Sequence, residues 1–135
     1  MPYELTAQAE LMAKHQLVER EELHSHRWRI KACIGGELHN GRVISLPQIK
    51  GWIDEIIAPL QNSSLNDNHS LDAETRREPT CENLSRFCFE KLHFALMRNG
   101  DPYKRPLEVK WVEVHVTEAD GRELGGARYL PVMKP

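Results

Sequence analysis

From Tyr3 to His15 the chain alternates, with Tyr3, Leu5, Ala7, Ala9, Leu11, Ala13 and His15 at odd positions against Glu4, Thr6, Gln8, Glu10, Met12 and Lys14 at even ones. A period of two over that length predicts a half-buried strand, because successive strand side chains project to opposite faces. The pattern resumes in "HSHRWRIKACIGGEL", with His24, His26, Trp28, Ile30, Ala32 and Ile34 on one face and Ser25, Arg27, Arg29, Lys31 and Cys33 on the other. Two long strands in succession predict an antiparallel pair. Asn40-Gly41 then signals a hairpin-type turn. Beyond it the period changes: Ile49, Trp52, Ile53, Ile56, Ile57 and Leu60 fall at i, i+3, i+4, i+7, i+8 and i+11, one stripe of an amphipathic helix with Pro47 placed for its first turn.

Gln61 to Arg77 is polar and rich in turn residues, which predicts a loop with at most a short turn of helix. In "EPTCENLSRFCFEKLHFALMRNG", Thr80 suits an N-cap with Asn83 at N3, and Leu84, Phe87, Cys88, Leu92 and Ala95 form an apolar stripe ended by Asn99-Gly100. A second helix is expected over about Cys81 to Arg98. Alternation returns in "LEVKWVEVHVTEADG", and "GGARYLPV" predicts a last strand. The order ββααββ predicts an α+β fold, an antiparallel four-stranded sheet with both helices on one face.

The chain has 135 residues, 40% hydrophobic and 28% charged, which suits a single domain spanning residues 1–135. A net charge of -2 and a pI of about 6.4 provide no field to attract phosphate backbones or anionic lipid, so neither nucleic acid nor membrane is an expected partner. "MPYELTAQAE" has no cationic region followed by an apolar one, and no apolar run approaches a membrane span, so a cytoplasmic location is expected. Cys33, Cys81 and Cys88 are odd in number and lack CxxC spacing, which suggests reduced thiols; Cys88 reads as a small buried hydrophobe.

The chemistry with the clearest spacing is His24-Ser25-His26. Residues two apart on a strand project the same way with Cα atoms about 6.6 Å apart, close enough for two imidazoles to meet one ion. His15 ends the apolar face of the neighbouring strand and is the candidate third ligand, which would leave a coordination position open. The residues alone also allow partly buried histidines satisfied by backbone carbonyls, and they do not choose among zinc, copper, nickel and iron. His39, His69, His93 and His115 lack such partners and read as surface or core residues.

"AKHQL" with His15, "LHSH" with His24 and His26, "GRVI" before the first helix, "SSLND" after it, "PTCEN" opening the second helix and "VTE" ending the third strand occur in an order and spacing that resemble the 6-pyruvoyl-tetrahydropterin synthase and 6-carboxytetrahydropterin synthase family, from about Leu11 to Tyr129. The resemblance implies the tunnelling fold, ββααββ, and homo-oligomers, trimers that stack into hexamers, with sites between subunits. It implies Zn2+ held by His15, His24 and His26 and lyase-type chemistry on the side chain of a dihydropterin, in routes such as queuosine or folate biosynthesis. Glu118 would anchor the pterin ring, since a carboxylate can accept two parallel N–H bonds from a 2-amino-pyrimidinone edge. Thr80, Cys81 and Glu82 would fall where the family lines the pterin pocket. Without the resemblance, Glu118 reads as a solvated strand-end residue and Glu82 as a charge suited to a first helical turn.

The chain departs from the family at its acid–base groups. Arg20 stands where the family has a catalytic cysteine, Gln61-Asn62 where it has an Asp-His proton relay, Ser25 in place of a glycine and Ser45 in place of an aspartate. Arginine, glutamine and asparagine do not exchange protons near neutral pH. Glu21, three residues before His24, fits a variant branch with Glu-x-x-His that cleaves the dihydroneopterin side chain, and is the candidate catalytic base; a solvated loop residue is its other reading. His69 is a candidate substitute for the relay histidine. Arg27, Arg29, Arg76 and Arg77 are the cations available to a triphosphate. The alternative to an enzyme is a family member that binds metal and a pterin or purine without turnover.

Overall fold

A computed structural model describes residues 3–17, 23–99, 105–118 and 120–131. These form, in chain order, β1 (Tyr3–His15), β2 (His24–Gly36), α1 (Leu46–Ile57), β3 (Ser63–Ser64), α2 (Ala73–Arg77), α3 (Cys81–Asn99), β4 (Glu108–Thr117) and β5 (Glu123–Tyr129). β1 and β2 run antiparallel from Tyr3 opposite Gly36 to His15 opposite His24. That register sets Ala9 beside Ile30 and Leu11 beside Trp28, so the two apolar faces coincide; a slip of one residue would put them on opposite sides of the sheet. β4 pairs antiparallel with β2, and β5 antiparallel with β4.

The sheet has five strands in the order β3-β1-β2-β4-β5, where the pattern predicts four. The additional strand, β3, is two residues long and parallel to β1 at Ala13 and Lys14. A pair of serines carries no periodicity, so its strand character comes from the edge of β1. The last strand also starts earlier than "GGARYLPV" suggests and stops before Leu130-Pro131, since Pro131 has no N–H for a ladder.

Both long helices form on the predicted stripes and pack on the apolar sheet face, α1 over β1 and α3 over β4 and β5. Ile49, Trp52, Ile53 and Ile57 of α1 and Leu84, Phe87, Cys88, Leu92 and Leu96 of α3 are buried. Leu60, the last residue of the first stripe, is fully buried in a 3-10 turn, Ala58–Leu60. Each fully buried Leu or Ile contributes about 1.5–3 kcal/mol. Thr80 caps α3 as expected, its Oγ1 accepting the Asn83 N–H at 3.1 Å. The Asn83 amide donates instead to the Glu78 carbonyl at 2.9 Å, which joins the helix to the segment ahead of it. The opposite sheet face is polar, with Arg29 2.7 Å from Glu123 and His115 2.9 Å from Glu113. Among the described residues no helix is long and apolar enough to cross a membrane.

Candidate metal centre

The ends of β1 and β4 and the start of β2 meet at one end of the sheet. There His15, His24 and His26 converge, each offering a ring nitrogen within 4.8 Å of the others. His15 Nε2 lies 3.0 Å from His24 Nε2, and the His24 and His26 rings stand edge to face at 4.5 Å. His15 is 7% exposed, and the other two are half-buried.

The surroundings decide which nitrogen of His15 is presented. Its Nδ1 lies 2.8 Å from the Pro79 carbonyl oxygen. A carbonyl only accepts, so Nδ1 carries the proton, and in the neutral ring Nε2 turns a bare lone pair towards His24. Two nitrogens at 3.0 Å, one of them a lone pair, can share a proton or share a cation. Tetrahedral zinc with Zn–N distances near 2.0–2.1 Å needs ligand nitrogens about 3.3 Å apart, a few tenths of an ångström more than the His15–His24 separation. The donor set, three imidazoles with one fixed by a carbonyl behind it, fits a metal of the zinc type. Beneath lies Trp28, fully buried, its ring 4.8 Å from that of His15 and 5.9 Å from that of His26. The Trp28 indole N–H donates to the Ala13 carbonyl at 3.2 Å.

The other expected site residues divide. Glu118 directly follows the Arg27–Thr117 pair that ends the β2–β4 ladder, at the histidine end of the sheet. It is half-buried, and its main chain closes a turn, N–H to the Arg122 carbonyl at 2.8 Å and C=O from the Gly121 N–H at 2.9 Å. Thr80 adjoins the carbonyl that holds His15, while Glu82 is exposed in the first turn of α3. Glu21, like Arg20, lies outside the described residues. Arg27 and Arg29 are out of phase with the histidines, Arg27 3.9 Å from Glu10 and Arg29 paired with Glu123, so they belong to the opposite sheet face. Arg76 donates to the Leu71 carbonyl, and Arg77 is exposed.

Gln61 and Asn62 have structural work. The Gln61 amide accepts the Met12 N–H at 3.0 Å and donates to the Glu10 carbonyl at 2.8 Å. Asn62, at φ 58°, donates its N–H to the Met12 carbonyl at 2.6 Å. The expected relay position is thus occupied by an edge partner for β1. His69 is exposed in a turn. The thiols are held protonated: burial pushes Cys88 up to about 12, burial and the Glu4 charge push Cys33 to about 11, and burial and the Glu82 charge push Cys81 to about 11. A groove of about 420 Å³ lies at the far end of the sheet, lined by Tyr3, Leu5, Leu38 and Leu46 among others. None of its described lining residues is a histidine.

The sequence reading did not assign the Pro79 carbonyl or Trp28 a part in the centre. A carbonyl leaves no mark in a sequence. Trp28, in phase with both histidines and two residues beyond them, was the available signal.

The model of the family described as 6-pyruvoyl tetrahydropterin synthase matches residues 4–124. The chain is 26% identical over 77 residues to the dihydroneopterin monophosphate aldolase of Pyrococcus furiosus, a match covering 57% of this chain and 61% of the aldolase. Among solved structures it resembles the 6-pyruvoyl tetrahydropterin synthase of Caenorhabditis elegans, at 17% identity and a TM-score of 0.72 over 96% of each chain. It also resembles a catalytic-residue mutant of the Plasmodium vivax 6-pyruvoyltetrahydropterin synthase in which a glutamate is changed to alanine, at 14% identity and a TM-score of 0.62 over 96% of this chain and 98% of that one.

Proposed function

The chain belongs to the 6-pyruvoyl tetrahydropterin synthase family, and on that premise we propose that it acts on the side chain of a dihydropterin at a zinc centre held by His15, His24 and His26. The observation that carries this reading is the convergence of the three imidazoles with His15 Nδ1 committed to the Pro79 carbonyl. Bound zinc would supply Lewis acidity to an oxygen of the pterin side chain. His15 and His24 present their nitrogens from paired strands, so little reorganisation is needed to hold the ion. Glu118, from the adjoining strand end, orients the flat ring through paired N–H bonds, and Thr80 and Glu82 border the ring pocket. Glu21 is the candidate base that takes the side-chain proton. The glutamate described as catalytic in the Plasmodium vivax protein supports a carboxylate in that part. Assembly into a homo-oligomer, trimer or hexamer, with sites between subunits completes the proposal.

A second reading is favoured by the Gln61 amide. Gln61 is committed to β1, His69 is exposed and the thiols are protonated, so none of these groups replaces the family's relay. On this reading the chain binds a pterin or purine at the metal without turnover. Incubating zinc-loaded protein with 7,8-dihydroneopterin and with its triphosphate, followed by chromatography, separates the two. Product that disappears in E21Q supports the enzyme. Binding by calorimetry that weakens in E118Q, with no product, supports the binding protein, and neither binding nor product sinks both.

A further inference from the structure

Resting on the reading that the three histidines hold a metal, we infer that Asn66 is a positioning residue for that centre, acting through the main chain of Gln16. The β1–β3 ladder consists of Ala13 with Ser63 and Lys14 with Ser64. Carried two residues further, the same parallel register sets Gln16 beside Asn66. By then the chain has entered a 3-10 turn, Leu65–Asp67, and its main chain has left the ladder. The Asn66 side chain stands in for it: Oδ1 accepts the Gln16 N–H at 2.8 Å, and Nδ2 donates to the Gln16 carbonyl at 2.7 Å. An amide carries donor and acceptor in one plane, as a strand partner does, and a carboxylate carries no donor.

The same Nδ2 donates to the Arg76 carbonyl at 3.1 Å. Arg76 lies near the end of α2, three residues before the Pro79 whose carbonyl fixes the His15 tautomer. Asn66 therefore ties together two supports of one ligand, the main chain that follows His15 and the segment behind its Nδ1. Asn68, two residues on, makes bonds of the same kind that reach neither the main chain after His15 nor the segment ahead of α3, to the Pro59 carbonyl at 2.8 Å, Ser63 Oγ at 3.0 Å and the Ser70 N–H at 2.9 Å. It is the natural control.

The experiment measures the affinity of the full chain for zinc by chelator competition, and the visible spectrum with cobalt in place of zinc, for wild type, N66A, N66D and N68A, with thermal stability beside them. Outer partners of metal ligands typically govern affinity by about 10–100-fold. We expect N66A to bind zinc roughly tenfold more weakly with an altered cobalt band, and N68A to stay within about twofold of wild type at a similar loss of stability. Equal effects of N66A and N68A, or wild-type affinity and spectrum in N66A, overturn the inference. Should N66A not fold, N66D carries the comparison, since it keeps the acceptor and loses both donated bonds; wild-type metal binding in N66D overturns the inference too. Wild-type protein that binds no metal defeats the metal reading itself, a distinct result.

Discussion

Replacing Gln61 by alanine removes two hydrogen bonds between one side-chain amide and the edge of β1, to the Met12 N–H and the Glu10 carbonyl. Both are solvent-exposed, so water takes over the main-chain groups, and each bond is worth the low end of the usual range, about 0.5 kcal/mol. The expected loss is about 1 kcal/mol, or roughly 3–5 °C in melting temperature for a domain of this size. Gln61→Asp should lose at least as much, because a carboxylate cannot donate to the Glu10 carbonyl and would face it with a charge. Rebuilding the full Asp-His pair by Q61D with N62H adds the cost of a histidine at φ 58°, about 1 kcal/mol, for a total near 2 kcal/mol. Urea unfolding followed by tryptophan fluorescence measures this, since Trp28 and Trp52 are buried. Protein concentration is held fixed because the proposed assembly would add to apparent stability. Q61A and Q61D both within about 0.5 kcal/mol of wild type would refute the edge-partner account.

A Cβ at Gly126 would lie 2.5 Å from His115 Nδ1 and 2.8 Å from the Val114 carbonyl, whereas one at Gly125 meets nothing within 4 Å; thermal melts should show G126A destabilised by about 1–3 kcal/mol and G125A neutral or slightly stabilised. Burial opposes the charge on Asp72, but hydrogen bonds from Thr75 and Arg86 outweigh it and hold the carboxyl below its usual range. Its contribution is therefore complete above the unfolded value of about 3.9 and is lost as pH falls through the lower folded value, so the stability gap between wild type and D72N should narrow below about pH 4; a gap independent of pH in urea titrations would contradict this. With Cys33, Cys81 and Cys88 all protonated at neutral pH, native protein should react with a disulfide reagent more slowly than free cysteine and release all three thiols only on denaturation. Any one reacting faster than free cysteine would count against the assignment.

The alternation of β1 and β2, the stripes of α1 and α3 and the Thr80 cap were legible because each is a local pattern whose period matches one backbone geometry. So was the shared phase of His24 and His26, and the family resemblance that added His15. What the pattern could not carry was β3 and the roles of Gln61, Asn66 and Pro79, since these depend on residues about 50 positions or more away in the chain. Gln61 and Asn66 sit in a stretch that reads as a polar loop; an amide looks the same there whether it faces water or completes a ladder.

By itself, then, the order of residues determined which face of each strand and helix is apolar, and hence a sheet with helices on one side and three histidines in phase at its end. Only the tertiary structure decided how those histidines are held. The antiparallel register brings His15 opposite His24, and the chain ahead of α3 returns to place a carbonyl against His15 Nδ1. A ring nitrogen becomes a donor or a ligand through its partner across space, and sequence periodicity reports burial, not partners.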